Sequence, residues 1–296
     1  MQITAILLVL VSAFTHAGWN LIGKNENPNP LFFLWALFWG NLLLAPIVCP
    51  VIKLVPSFPS RIWVPLVAGG LFQSLYYAGL SAGYRKGELS VVYPTARALP
   101  LVFVSLGSFA MGKGDNISAL CLVGCFFIVG GCFFLPLARV RDIRFSRFFN
   151  NATPFAIAAA IGTVGYSFAD DFSIRALAQA FGKTQNLWLL SLLYLFVQNV
   201  VAILALLFFH WCSHEGSSTY RAKQAAITGV GITGTYSLVL TAMNFASDVT
   251  YIVAFRQLSI PIGAVLGILL FKEANTAPKY LGLLAITLGL LMVALG

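Results

Sequence analysis

The sequence predicts an all-α integral membrane protein whose ten transmembrane helices form two inverted five-helix repeats. Three observations lead to this prediction: the composition, the recurring apolar windows, and two arginines at matching places in the two halves. Of the 296 residues, 59% are apolar and 9% are charged, and the mean hydropathy is +0.88. Each apolar window has about 20 residues, which is enough for a helix to cross a hydrocarbon core of roughly 30 Å.

Ten such windows can be placed along the chain. The predicted spans are residues 3–22, 31–52, 62–84, 88–111, 117–137, 154–176, 185–209, 224–246, 248–271 and 279–295. Their connections are short, so no soluble catalytic or sensory domain is expected. We predict a first repeat over residues 1–137, a basic linker over 138–153 and a second repeat over 154–296.

The first window has a second interpretation, because it ends in small residues as a signal peptide does. No basic residue precedes its apolar stretch, whereas a signal peptide usually begins with a charged region. We therefore expect the first helix to be retained.

Polar residues recur at matching positions of the two halves. A shift of 159 residues aligns Arg97 with Arg256 and Lys113 with Lys272, and a shift of 150 aligns His16 with Tyr166 and Asn20 with Asp170. Because each half contains an odd number of spans, the second must enter the membrane upside down relative to the first. Inverted repeats of this kind are typical of transporters, in which one site opens to either side.

Arg97 and Arg256 lie deep in their spans, at nine and eight residues from the predicted starts. A guanidinium at that depth costs about 2.5 to 3.5 kcal/mol on insertion scales. We predict that both arginines face a wet cavity and bind substrate. The alternative is a structural role, in which they pair with carbonyls or carboxylates where helices cross.

Prolines flank both arginines, with Pro94 and Pro100 around Arg97 and Pro261 after Arg256. Proline lacks the amide proton and crowds the preceding turn, so it frees carbonyl groups and permits bending. These three prolines are predicted hinges.

Four further polar residues form two pairs, each one helical turn apart: His16 with Asn20, and Tyr166 with Asp170. His16, Asn20 and Tyr166 are predicted to bind substrate. An ionised acid is costly at membrane depth, which suits a group that takes up a proton. Asp170 is therefore the first candidate for proton coupling and His16 the second. Alternatively, Asp170 is a simple partner of an arginine, while the adjacent Asp171, about 100° away, belongs to the aqueous end.

Aromatic residues with polar groups also fall within the spans and are predicted to line a cavity and bind substrate. They are Trp19, Tyr76, Tyr77, Tyr93, Tyr236 and Tyr251. Packing or anchoring at the membrane interface is the alternative for each. The amides Gln73, Gln198, Asn199, Asn244 and Gln257 are weaker candidates, because amides also bridge helices.

Other motifs indicate packing rather than chemistry. Cys121, Cys125 and Cys132 share one helical face, but no His or carboxylate accompanies them in that helix, so we predict small packing groups and no metal site. Glycines at 69–70, 130–131 and 162–165 predict close helix contacts. No cofactor is expected.

The net charge of +9 lies mainly in the connections, above all in four arginines of the predicted linker, Arg139, Arg141, Arg144 and Arg147. This stretch is a short hinge between spans with no nucleic-acid-binding fold beside it, so we interpret it as a topology signal or a lipid-headgroup contact.

The distribution of Lys and Arg between the two faces predicts the orientation. The face that carries both termini would hold five basic residues: Lys53, Arg61, Lys113, Arg175 and Lys183. The opposite face would hold eleven: Lys24, Arg85, Lys86, the four linker arginines, Arg221, Lys223, Lys272 and Lys279. Cytoplasmic loops carry the excess of basic residues. This count therefore favours both termini outside.

Three segments carry a family resemblance: HAGWNLIGK at 16–24, YYAGLSAGYRKGELSVVYPTARALP at 76–100 and FRQLSIPIGAVLGILLFKE at 255–273. In them the chain resembles the EamA-type branch of the drug/metabolite transporter superfamily. The resemblance implies two five-helix bundles around a cavity lined by His16, Trp19, Asn20, Tyr93, Arg97 and Arg256. It also implies cytoplasmic termini, against the charge count. Gly114 departs from the family pattern, in which an acidic residue often follows Lys113.

Taken together, these features predict a secondary transporter and not an enzyme. We expect it to move a small polar or anionic metabolite, such as an amino acid or a related compound, by alternating access. Efflux driven by protons or another gradient is the expected mode, in the inner membrane of a bacterium, as a monomer or homodimer whose other partner is membrane lipid. The alternatives are a flippase for a lipid-linked anionic head group and a membrane-embedded enzyme.

Overall fold

The protein is all-helical over the part of the chain that its computed structural model describes, which is residues 2–23, 29–86, 89–135, 137, 139, 151–213, 221–271 and 276–296. The α-helices are α1 (Ile3–Gly23), α2 (Pro30–Val48), α3 (Trp63–Lys86), α4 (Leu89–Ala110), α5 (Ala119–Phe134), α6 (Thr153–Phe181), α7 (Leu187–Ser213), α8 (Ala222–Met243), α9 (Val249–Arg256), α10 (Ser259–Phe271) and α11 (Ala277–Leu295). The predicted linker, residues 138–153, lies almost entirely outside the described residues.

Within the described residues, four stretches of helix are long and apolar enough to cross a membrane: Pro30–Ser57, Leu187–Cys212, Ala222–Met243 and Ala277–Leu295. Shorter apolar helices cover Ile3–Trp19, Ala96–Ala110 and Ala119–Phe134. Large apolar side chains such as Phe126 and Trp211 are about three-quarters exposed, as expected for a surface that contacts lipid. These features indicate an integral membrane protein.

The predicted span 248–271 contains a break in the helix, because two residues that are not α-helical separate α9 from α10. Pro261 lies in the first turn of α10, where its missing N–H is not needed. In a continuous helix the Ile260 N–H would donate to the carbonyl of Arg256, but it donates to Gln257 at 2.9 Å. The break therefore leaves the carbonyl of Arg256 open to other donors.

Helix α4, in contrast, continues through Pro94 and Pro100 without interruption. The hinge role of Pro100 stays a prediction. The side chain of Pro94 lies outside the described residues. The break therefore occurs in only one of the two arginine-bearing segments.

Glycine pairs bring α5 and α11 into close contact. A Cβ on Gly131 would lie 2.6 Å from the carbonyl oxygen of Gly282, and one on Gly124 would lie 2.5 Å from that of Gly289. The same prediction is confirmed at Gly69, Gly70, Gly162 and Gly165, whereas Gly130 has open space where a Cβ would stand. The three helix-five cysteines are buried, as predicted for packing groups.

Replacing Gly131 with alanine is expected to destabilise the protein by about 1 to 3 kcal/mol, the usual cost of overpacking. The new methyl group would press on the backbone of α11. Gly130→Ala, one residue away, is the matched control and should have little effect. Thermal unfolding of both variants in detergent measures the difference, and equal melting temperatures would contradict the packing described.

Candidate functional site

A small polar chamber lies inside the bundle, where α1, α3, α6 and α8 meet the end of α9. Its cavity volume is about 20 Å³ in this conformation, which is room for about one water molecule. The lining residues are His16, Trp19, Gln73, Tyr76, Tyr77, Tyr166, Ile232, Thr235, Tyr236 and Arg256. Seven of these ten were predicted substrate-binding residues, so the structure brings most of the predicted site together.

A second cavity of about 10 Å³ shares Arg256 with the chamber. It is lined by Ala96, Arg97, Pro100, Thr163, Val253, Arg256 and Gln257. The two deep arginines therefore lie beside neighbouring buried cavities, and their role in substrate binding stays a prediction.

Arg256 is held between two tyrosines. Its Nη2 donates to the Tyr166 hydroxyl at 3.1 Å, and its guanidinium carbon lies 5.7 Å from the Tyr166 ring centroid and 5.6 Å from that of Tyr236. Aromatic faces attract a cation. The side chain is only 9% exposed, and no described acceptor contacts its Nη1 atom. Its charge is therefore oriented by neutral groups and has capacity for one more partner.

Arg97 has a different role, since it braces the break between α9 and α10. Its Nη2 donates to the carbonyl of Arg256 at 3.4 Å and to the hydroxyl of Ser259. Ser259 also donates to the Arg256 carbonyl, at 2.9 Å. The structural alternative considered for the arginines thus describes part of what Arg97 does. The two matching arginines are not equivalent.

Asp170 lies behind the chamber and does not line it. Its carboxylate accepts hydrogen bonds from Tyr194 at 2.8 Å, from Gln198 at 2.5 Å and from the hydroxyl of Tyr236. Neither Arg256 nor Arg175 is among these partners. Asp170 therefore connects to Arg256 through Tyr236, whose ring contacts the guanidinium.

His16 and Trp19 form the α1 side of the chamber. Their rings meet edge to face with centroids 4.8 Å apart, and both are buried. The Trp19 Nε1 atom has no acceptor among the described residues. This geometry is compatible with both predicted roles of His16, in substrate binding and in proton coupling, and both stay predictions.

The remaining predicted site residues do not line the chamber or cannot be placed. Tyr251 lies elsewhere: its hydroxyl accepts from the Ser118 N–H at 3.3 Å and donates to the Gly296 oxygen at 3.4 Å. The side chains of Asn20 and Tyr93 lie outside the described residues.

One face of the bundle is tied together by polar contacts. This face, which we call the N-terminal face, holds the start of α1, the end of α6 and the segment between α8 and α9. Arg175 contacts Asp171 at 2.8 Å and the carbonyl of Ala246 at 2.8 Å, while Lys113 lies 3.6 Å from Asp171. Asp171 itself is buried, so the predicted position at the aqueous end stays a prediction, and its carboxylate anchors a cluster of Lys113, Asp171 and Arg175.

Three lining residues, Gln73, Ile232 and Thr235, were not among the predicted substrate-binding residues, and two of them are polar. Gln73 lies one turn before Tyr76 and Tyr77 on α3, so helical spacing from those tyrosines could have selected it. Thr235 directly precedes Tyr236, and no comparable signal distinguishes it.

Comparison with known proteins supports the fold alone. No family model matches the chain, and no curated protein matches it. One solved structure, described only as a crystal structure of a protein, is 17% identical with a TM-score of 0.69. The match covers 100% of this chain and 98% of the chain in that structure.

Proposed function

We propose that this protein is a secondary transporter that moves a small polar or anionic metabolite across the membrane by alternating access. The observation that carries the proposal is the buried chamber at which Arg256 presents an open guanidinium nitrogen. A charged group that costs several kcal/mol at membrane depth is retained where it serves a ligand or ion pathway. Efflux driven by a proton gradient is the proposed mode.

The proposed architecture has ten crossings in two inverted repeats, as in EamA-type members of the drug/metabolite transporter superfamily. Helices α9 and α10 together form the ninth crossing. The glycine contacts support the repeat, because Gly124 and Gly131 correspond to Gly282 and Gly289 by a shift of 158 residues, close to the 159 that relates the arginines. Gly124 meets Gly289 and Gly131 meets Gly282, the exchange that a two-fold axis between α5 and α11 produces.

Other helix pairs agree with the same axis. Helix α3 packs on α6 and α1 packs on α8, which are equivalent pairs if α1 corresponds to α6 and α3 to α8. The pairs α2 with α8 and α7 with α3 are related in the same way, as are α4 with α6 and the broken α9–α10 with α1. Two halves that can exchange conformations are what alternating access requires.

The Asp171 cluster would close the N-terminal face in this conformation. Asp171→Asn removes the charge that holds Lys113 and Arg175. Access to the chamber from that face should therefore increase about five-fold. This factor corresponds to about 1 kcal/mol, the contribution of an ion pair whose basic side chains are partly exposed. The labelling rate of a cysteine placed at position 235 measures this access. Asp115→Asn, at an exposed aspartate on the same face, is the control. Equal rates for the two variants would argue against the gate.

Transport itself is tested by reconstituting the purified protein into liposomes loaded with a mixture of labelled metabolites. The expected result is gradient-dependent exit of a small polar or anionic subset, with no exit from protein-free vesicles. If no component moves under an imposed pH gradient in either direction, the proposed function is rejected.

A further inference from the structure

The chamber contains four buried polar atoms that no described protein group satisfies. They are Trp19 Nε1, Gln73 Oε1, Thr235 Oγ1 and Arg256 Nη1, and all four side chains are at least nine-tenths buried. Buried polar groups are nearly always hydrogen-bonded, because leaving one unpaired costs about 1 to 3 kcal/mol. These four atoms around one space are available to pair with water or with a ligand that the chamber opens to admit.

Two of these atoms are donors that favour an anionic acceptor. The Trp19 indole can only donate, and the Arg256 guanidinium donates and carries a full positive charge. Arg97, whose charge is also deeply buried, borders the adjoining cavity. A carboxylate bound between the indole and the guanidinium would form charge-assisted hydrogen bonds, which are about twice as strong as neutral ones.

The Gln73 amide oxygen is an acceptor, so the ligand also needs a hydrogen-bond donor. The charges of the chamber determine which kind of donor fits. None of the described residues that line the two cavities is an Asp or Glu, and Asp170 is occupied by three donors behind Tyr236. An ammonium group would therefore meet two guanidinium charges without a carboxylate to offset them, and like charges repel strongly in a poorly hydrated site.

We propose, on the basis of the proposed function, that the cargo is a carboxylate whose hydrogen-bond donor is uncharged, a hydroxy or amide acid, and not a zwitterionic amino acid. Trp19 and Arg256 bind the carboxylate, and Gln73 accepts from the neutral donor. Thr235 can serve either end, since its hydroxyl both donates and accepts. The tyrosines pack around the remainder of the molecule.

Matched pairs of compounds that differ only in this group test the assignment. Calorimetric binding to the purified full chain in detergent would compare lactate with alanine, 2-hydroxyisocaproate with leucine, and 3-phenyllactate with phenylalanine. In at least one pair the hydroxy acid should bind about ten-fold or more tightly than its amino partner, the factor expected when one charged group must be desolvated without a partner. Tighter binding of the amino acids, or binding of no compound in the set, would overturn the assignment.

A single substitution should reverse the preference. Gln73→Glu keeps the shape of the side chain and places a carboxylate where the donor end binds, so the ratio of affinities should shift by about ten-fold or more toward the amino acid. Gln179→Glu, the same change at an exposed position on the N-terminal face, is the control and should leave the ratio unaltered. An unchanged ratio in Gln73→Glu would contradict the placement of the donor end.

If Gln73→Glu does not fold, Gln73→Met provides a second test. It removes the acceptor at similar volume, so the hydroxy acid should lose its advantage over the acid that lacks the hydroxyl. A retained advantage would count against Gln73. The readouts separate this inference from the proposed function. If the hydroxy acids bind more tightly than their amino partners but nothing moves in liposomes, transport is rejected and the ligand class is kept. If amino acids alone are transported, transport is kept and the ligand class is rejected.

Discussion

Arg256→Ala is expected to lower substrate binding and transport by about 100-fold or more while the protein stays folded. The substitution removes a buried charge that has an open nitrogen in the chamber, and truncating one side of a buried charged contact typically costs about 2 to 5 kcal/mol, roughly 30-fold to several thousand-fold in affinity. Initial rates of transport in liposomes and binding in detergent measure the two effects. Thermal unfolding establishes that the fold is intact.

Two further variants make this test specific. Arg256→Lys should recover only part of the activity, because an ammonium group cannot contact the Tyr166 hydroxyl and a carboxylate with the fixed geometry of a guanidinium. Arg61→Ala removes an arginine that bonds Gln179 at the N-terminal face and should transport normally. Normal transport by Arg256→Ala would remove this residue from the site.

Arg97→Ala should also abolish transport, but for a mixed reason. Its guanidinium joins α4 to the Arg256 carbonyl and Ser259 at the helix break. We therefore expect a lower melting temperature in this variant, in addition to the loss of transport. Arg256→Ala is the cleaner test of substrate binding for that reason.

Asp170→Asn is expected to uncouple transport from the pH gradient without unfolding the protein. The amide oxygen can keep the hydrogen bonds from Tyr194 and Gln198, while the amide nitrogen meets the Tyr236 hydroxyl, which can accept instead of donate. The variant has no carboxylate that can take up a proton, so flux should become independent of the imposed gradient. Unchanged pH dependence would exclude Asp170 from coupling.

The control for this prediction is Asp170→Ala, which leaves all three donors without an acceptor. Each unsatisfied buried donor costs about 1 to 3 kcal/mol, so this variant should be destabilised by several kcal/mol. A large difference in melting temperature between Asn and Ala at this position is therefore expected. Similar stability of the two would mean that the three hydrogen bonds contribute little.

Periodicity and composition predicted the helical class and most of the helix boundaries, because long apolar windows leave few alternatives in a membrane. They also selected Arg256, Tyr166, Tyr236 and the aromatic residues of α1 and α3 as candidate substrate-binding residues, because the depth and the helical face of a residue can be read from spacing. Such information is local to each helix, and it describes a residue's level and direction well.

Pairings between distant helices could not be read in this way. The donors to Asp170 include Tyr194 and Gln198 from α7, and nothing in their spacing relates them to α6. The position of the break directly after Arg256 was likewise not predicted, because Pro261 indicates a hinge in this segment, whereas the contacts of Arg97 and Ser259 help to determine where the chain is held. Tyr251 met the same depth criterion as the chamber residues, yet its hydroxyl contacts the start of α5.

The most direct test of the account is whether the chamber is reached from both faces of the membrane. Thr235→Cys places a thiol in the chamber at similar side-chain size, and exposed Cys49 and Cys212 can be replaced with serine in the parent protein. A membrane-impermeant maleimide, applied to vesicles of each orientation, should label position 235 from either side, and a bound substrate should slow the reaction. Labelling from one face alone, with and without substrate, would contradict alternating access to this site.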